Sequence, residues 1–157
     1  MSVSVASAVK CAPAAPVCHV ALAYAERGLK VLPCQLNGLP AGPGSLYNAF
    51  NDPDRIRSWF TKGNYELGIA LRESGLVIID AKDPKALKAY LTAAGLTLAK
   101  TYTVRTPSGG LHYYYRTQLG AAYPHRLCPG VDIKTCGFVV ALPSRGYSAG
   151  DGSVGNY

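Results

Sequence analysis

The chain has 157 residues, 48% of them apolar and 16% charged, the balance of one folded domain with a core rather than of a disordered segment. No apolar run approaches the roughly 20 residues that span a bilayer, which excludes a transmembrane helix. Sixteen Lys and Arg against nine Asp and Glu leave a net charge of +7, a balance that favours polyanionic partners such as nucleic acid.

Residues 1–16, "MSVSVASAVKCAPAAP", lack the leucine-rich run of a signal peptide and read as a loosely ordered lead-in. The five cysteines, Cys11, Cys18, Cys34, Cys128 and Cys136, are odd in number and scattered, which argues against a disulfide scaffold and for a reducing cytoplasm. Val17, Val20, Ala21 and Tyr24 fall at helical spacing and predict an amphipathic helix that Gly28 ends. "LKVLP" follows as a strand, and residues 35–51 form a Gly/Pro/Asn-rich loop. A second helix starts with Asp52 as N-cap and Pro53 at its first position, buries Ile56, Trp59 and Phe60, and stops at Gly63. "LGIAL" and "GLVIID" are strands joined by a turn at "RESG". A third helix runs from Pro84, with Leu87, Tyr90, Leu91 and Ala94 as its apolar stripe and Gly95 as its end. "TYTVRT", "LHYYYR", "GVDIK" and "FVVALP" are four further strands.

Helices alternating with strands early and hairpins late predict an α/β (α+β) fold, a mixed β-sheet with helices packed on it, over residues 17–147. The Gly/Ser-rich stretch 148–157 closes no element and reads as the start of a linker.

Chemistry concentrates in "TPSGGLHYYYR", residues 106–116. The Pro-Ser-Gly-Gly run is hairpin-turn composition, and alternation on the outgoing strand puts His112, Tyr114 and Arg116 on one face and Leu111, Tyr113 and Tyr115 on the other. An imidazole, a phenol and a guanidinium are groups that a phosphate would meet; a Tyr-rich strand with a solvated polar face is the bland alternative. Among the nine carboxylates, Asp52 and Asp54 serve the second helix, and Glu66 and Glu73 lie in turns as solvated acids. Asp80 ends the most apolar strand, where an uncompensated carboxylate is costly. Asp132 shares a strand face with Lys134. Either aspartate alone has an ordinary explanation, as a turn cap or a lysine-paired surface acid. Together with a strand-borne histidine they compose a site for a divalent metal and a triphosphate.

The segments "GLKVLP", "NDPDRIRSWF", "LGIA", "GLVIIDAKDP", "TVRTPSGGLHYYYR" and "GVDIKTCGFVVALPS" occur in an order that resembles the prim-pol domain. This is the bifunctional DNA primase/polymerase N-terminal domain of the archaeo-eukaryotic primase superfamily, found in plasmid, phage and prophage replication proteins. The resemblance spans residues 18–147 and implies an RRM-like catalytic core. It also implies metal-dependent, template-directed nucleotidyl transfer for primer synthesis and extension, with single-stranded DNA and dNTP or NTP as partners and two Mg²⁺ or Mn²⁺ ions as cofactors. Carried over, Asp80 and Asp132 are metal ligands. Ser108, Gly109, Gly110 and His112 meet the nucleotide's phosphates, and Arg105 and Lys134, which sit beside those motifs in sequence, are candidates to contact phosphate or template. Relatives commonly continue into helical and helicase domains; no P-loop is present here.

The chain departs from the family pattern where the second acid of the Asp-x-Asp pair should stand, at Lys82. Asp83 comes one residue later and precedes Pro84, so it is either the N-cap of the third helix or a ligand turned inward by a bulge. An ammonium at position 82 repels a cation or stands in for one beside the triphosphate. The reading is therefore a primase/polymerase domain of weakened activity, with a catalytically degenerate nucleotide- or single-strand-binding module as the alternative. Leu39 is a lesser departure, where the family often carries a basic residue. His125, Cys128 and Cys136 bracket Asp132 and are the candidate zinc ligands, although no close Cys pair has zinc-finger spacing.

Overall fold

The computed structural model describes residues 16–42 and 49–150; the lead-in, the centre of the Gly/Pro-rich loop and the tail beyond 150 lie outside the described residues. The local signals for helices locate them well. Helix α1 (Pro16–Glu26) buries Cys18, Ala21, Tyr24 and Ala25, and the chain leaves it through Gly28 at φ +81°. Helix α2 (Pro53–Phe60) is capped by Asp52, whose carboxylate accepts from the Arg55 amide at 2.8 Å, and it buries Ile56 and Phe60 while Trp59 stays half-buried. Leu71–Ser74 form a one-turn helix, α3, where "RESG" predicts a turn, because Gly75 at φ 64° closes it as a left-handed cap. Helix α4 (Pro84–Ala94) starts on Asp83 and ends on Gly95 at φ 65°.

The fold is α+β, with two sheets in place of the one mixed sheet that the pattern predicts. β1 (Val31–Cys34), β2 (Glu66–Ala70) and β8 (Phe138–Ala141) form a three-stranded sheet in the order β1-β2-β8. The second sheet has the order β6-β7-β3-β5-β4-β9, built from β3 (Leu76–Ala81), β4 (Thr103–Arg105), β5 (Leu111–Arg116), β6 (Arg126–Cys128), β7 (Val131–Lys134) and β9 (Ser148–Ala149). Every ladder among the described residues is antiparallel. The reason is β5. The α4 crossover brings β4 back in the direction of β3, but the β4–β5 hairpin inserts β5 between them, so no parallel ladder forms. β6 and β9 are short strands that the sequence pattern does not signal. β9 lies in the stretch expected to close no element, and pairs through Ser148 and Ala149 with Arg105 and Val104.

The main core lies between the sheets and helices α1 and α2. It takes Val31, Leu67, Ile69, Val139 and Ala141 from the small sheet and Leu76, Ile78, Val104 and Tyr114 from the large one. The opposite face of the large sheet packs α4, through Ala81, Leu87, Val131, Ile79 and Tyr113. Alternation along β5 is as expected, but His112 and Tyr114 point into the protein rather than forming a solvated face. Glu66 is likewise not a solvated turn acid: it heads β2, is buried, and faces Cys34 across the ladder. Burial, with the Glu66 charge adding to it, pushes the Cys34 thiol up to about 12, so it stays a neutral core group. Cys18, Cys34, Cys128 and Cys136 are all free thiols. Among the described residues no helix is long and apolar enough to cross a membrane.

Candidate functional site

The central strand β3 pairs on one side with β5 and on the other with β7, and Asp80, near the end of β3, is paired in both registers. Its partner across one ladder is His112 and across the other Asp132. Partners in antiparallel register share a face. The three side chains therefore form a row on the face that carries Ile78 and Tyr114 into the core, at the end of β3 where the core opens. Lys82, two residues beyond Asp80, continues on the same face. The row is a product of backbone pairing, which is why residues as far apart in sequence as Asp80 and Asp132 meet without long side chains reaching for each other.

Asp80 is buried, its side chain 6% exposed, and it is compensated on both oxygens: His112 Nε2 lies 3.4 Å from Oδ1 and Lys134 Nζ 2.7 Å from Oδ2. Burial alone pushes this carboxyl up, but the hydrogen bonds and charges of His112 and Lys134 outweigh it and hold the group down to about 2. Asp132 is compensated too, by different partners from the one expected. Lys134, its face-mate, goes to Asp80, and Asp132 is held instead by Lys82 Nζ at 2.7 Å and Arg126 Nε at 2.9 Å. These two contacts keep the Asp132 carboxyl below its usual range, and the same contact to Asp132 raises Lys82. The second imidazole nitrogen of His112, Nδ1, is buried and makes no hydrogen bond. A buried polar atom without a partner is uncommon in a finished core.

Beside the row is a cleft of about 440 Å³, lined by Asp80, Lys82, Ser108, His112, Lys134 and Tyr147, with Thr106, Pro107 and three residues of β8 completing the wall. The β4–β5 hairpin forms one lip. Its turn is closed by the Thr106 amide donating to the Gly110 carbonyl at 2.9 Å, and Gly109 takes φ +87°, an angle that favours glycine. Gly110 is needed for a different reason: a Cβ there would lie 2.8 Å from the Ala81 carbonyl oxygen. The hairpin thus rests directly on the end of the strand that carries Asp80. Ser108 is exposed at the tip and shares a hydrogen bond with the Thr106 hydroxyl at 3.1 Å.

Asp80, His112, Lys134, Lys82, Ser108 and the two glycines are brought to one place, with Asp132 next in the row. Arg105 is not: its register partner is Leu111, so it stands on the opposite face of the sheet from His112. Asp83 is the cap of α4, its Oδ1 accepting from the Lys85 and Ala86 amides at 2.9 and 3.2 Å, and no bulge turns it toward the row. The zinc set does not assemble. His125 and Cys136 are exposed, Cys128 turns its thiol to the Ala86 carbonyl, and no group of three or more His, Cys, Asp or Glu among the described residues is placed to hold a metal. Sequence reasoning missed Arg126 and Tyr147. Arg126 sits on a three-residue strand with no apolar alternation to announce it, and Tyr147 follows the last predicted strand in an irregular stretch. Burial raises the Tyr147 phenol, with the charges of Glu66 and Asp80 among the further causes, so it faces the cleft as a neutral donor.

The donor set does not fit a pair of divalent cations as it stands. Such ions take several oxygen ligands each, and here each of the four carboxylate oxygens of Asp80 and Asp132 already faces a protein nitrogen. Three cations, Lys82, Lys134 and Arg126, surround two carboxylates, so the cluster carries a net positive charge.

No curated protein matches the chain. Residues 21–154 match the family described as Bifunctional DNA primase/polymerase, N-terminal. That span contains the whole row, the hairpin and both sheets, and on it the chain belongs to the Prim-Pol family of DNA primase/polymerase domains.

Proposed function

We propose that the cleft binds a nucleoside triphosphate against a single-stranded DNA template, for nucleotidyl transfer that Lys82 slows. The observation that carries this reading is the row Asp132–Asp80–His112, fixed by two ladders at the mouth of a polar cleft. In that reaction the primer 3′-hydroxyl oxygen attacks the α-phosphorus and pyrophosphate leaves. The chain's own groups supply positioning. Lys134 and Lys82 face the phosphates as cations, and the Ser108 hydroxyl at the hairpin tip donates to one. His112 lines the cleft as a buried imidazole whose Nε2 holds Asp80 at 3.4 Å. Gly109, where a Cβ would stand in open space, leaves the hairpin backbone open to the ligand, while Gly110 seats the hairpin on β3. The excess of Lys and Arg over Asp and Glu supports a polyanionic template.

A second reading is favoured by one contact. Lys82 occupies the second acidic place and ties up Asp132 at 2.7 Å, as expected of a module that binds nucleotide or single-stranded DNA without turning it over. Primer extension on a primed single-stranded template separates the two. The enzyme reading requires slow extension by the chain and none by Asp132→Ala; extension absent throughout while nucleotide binding persists leaves the binding module, and extension that survives Asp132→Ala unchanged does not come from this row.

A further inference from the structure

We infer that the cleft holds the triphosphate on the ammonium groups of Lys82 and Lys134, so that nucleotide binding does not require a divalent cation. This rests on the nucleotide reading of the cleft and goes beyond it by naming what neutralises the phosphate charge. The two lysines line the cleft from different strand ends, one after β3 and one at the end of β7, so a ligand in it meets positive charge from two directions. The carboxylates do not cancel that field. Asp80 and Asp132 are outnumbered by Lys82, Lys134 and Arg126, and their oxygens point at those cations and at His112 rather than into open space.

A divalent ion entering here must displace an ammonium, a guanidinium or the His112 imidazole from a carboxylate oxygen and then sit beside three cations, which Coulomb repulsion opposes. It would also lack ligands, since no group of three or more His, Cys, Asp or Glu among the described residues is placed to hold a metal ion. A polyanionic phosphate chain meets the opposite situation. The Lys82 side chain is 61% exposed, and its tie to Asp132 is a solvent-screened surface pair. The lysine can therefore turn to a phosphate while Arg126 keeps Asp132 satisfied. Lys is suited to this as a compact point charge on a flexible stem.

The test is calorimetric titration of dATP and ATP into the full chain, in excess EDTA and in excess Mg²⁺, with Lys82→Ala and Lys82→Asp alongside. The expected result is binding in EDTA within about threefold of that in Mg²⁺, loss of about tenfold in EDTA for Lys82→Ala, and binding by Lys82→Asp only when Mg²⁺ is present. Wild-type binding in Mg²⁺ that disappears in EDTA overturns the inference and leaves the nucleotide site standing. Binding of Lys82→Ala in EDTA as tight as that of wild type overturns it in the same way. Absence of binding under both conditions overturns the nucleotide reading itself, and the inference falls with it.

Discussion

Replacing Lys134 with methionine isolates the electrostatics of the row, because the side chain keeps its approximate length and loses only its charge. In the wild-type protein Asp80 is held down to about 2, against 3.8 for an ordinary aspartate. At about 1.36 kcal/mol per pH unit, that depression corresponds to about 2 kcal/mol of folding stability. The Lys134 side chain is 38% exposed, so solvent screening makes this an upper figure. A depressed carboxyl gives stability that is complete above its unfolded value and is lost as pH falls from about 4 toward 2. In Lys134→Met, Asp80 remains buried and keeps its His112 contact but loses the lysine's hydrogen bond and charge, and the carboxyl rises toward its ordinary value. Wild type should then exceed Lys134→Met in stability most clearly near pH 6, with the gap closing by about 2 kcal/mol as pH falls to 2. Urea titrations followed by tryptophan fluorescence at half-unit pH intervals measure this directly, Trp59 being the single tryptophan. Other carboxylates titrate equally in both proteins and cancel in the difference. A gap that is constant across the range would refute the account of Asp80 as a buried carboxylate held ionised by its neighbours.

Three more outcomes follow from contacts in and beside the cleft. Lys82→Asp, which removes the ammonium from Asp132 and supplies a third carboxylate, should raise primer extension in Mg²⁺ or Mn²⁺ above wild type; lower activity would show that Lys82 takes part in the reaction. Gly110→Ala places a methyl group 2.8 Å from the Ala81 carbonyl and must push the hairpin off β3; nucleotide affinity should fall, with a stability loss of about 1–3 kcal/mol by thermal melting, and an unchanged affinity would mean the hairpin takes no part in binding. Asp83→Ala removes the α4 cap and should lower stability by about 1 kcal/mol while nucleotide titration is unaltered; a loss of affinity beyond that of the fold would restore Asp83 as a site residue.

What was legible in the sequence divides along a physical line. Signals that act over a few residues were readable: Asp52 and Asp83 as caps, Gly95 as a left-handed stop, and the alternation that separates His112 from Leu111. The prim-pol motif order then identified Asp80, His112 and Asp132, which the ladders align. Features set by long-range pairing were not readable. The division into two sheets depends on which strands meet, and Arg105 was misplaced because its face is fixed only once Val104 is known to lie opposite His112. The partner of Asp132 was missed for the same reason: Lys134 is its neighbour in sequence, but from its register opposite Ile78 Lys134 reaches Asp80 and leaves Asp132 to Lys82 and Arg126. Glu66 read as a turn acid because burial on a strand start has no local signature.

Alignment by backbone register has a consequence for how such a domain can diverge. Exchanging one side chain in the row leaves its neighbours where they are, which makes position 82 a dial that can be reset by a single codon change. Adding or deleting one residue within β3 before Asp80 is a different matter. It would carry the carboxylate to the α4 side of the sheet and bring an aliphatic neighbour round in its place, so the architecture tolerates substitution here far more readily than any change of length.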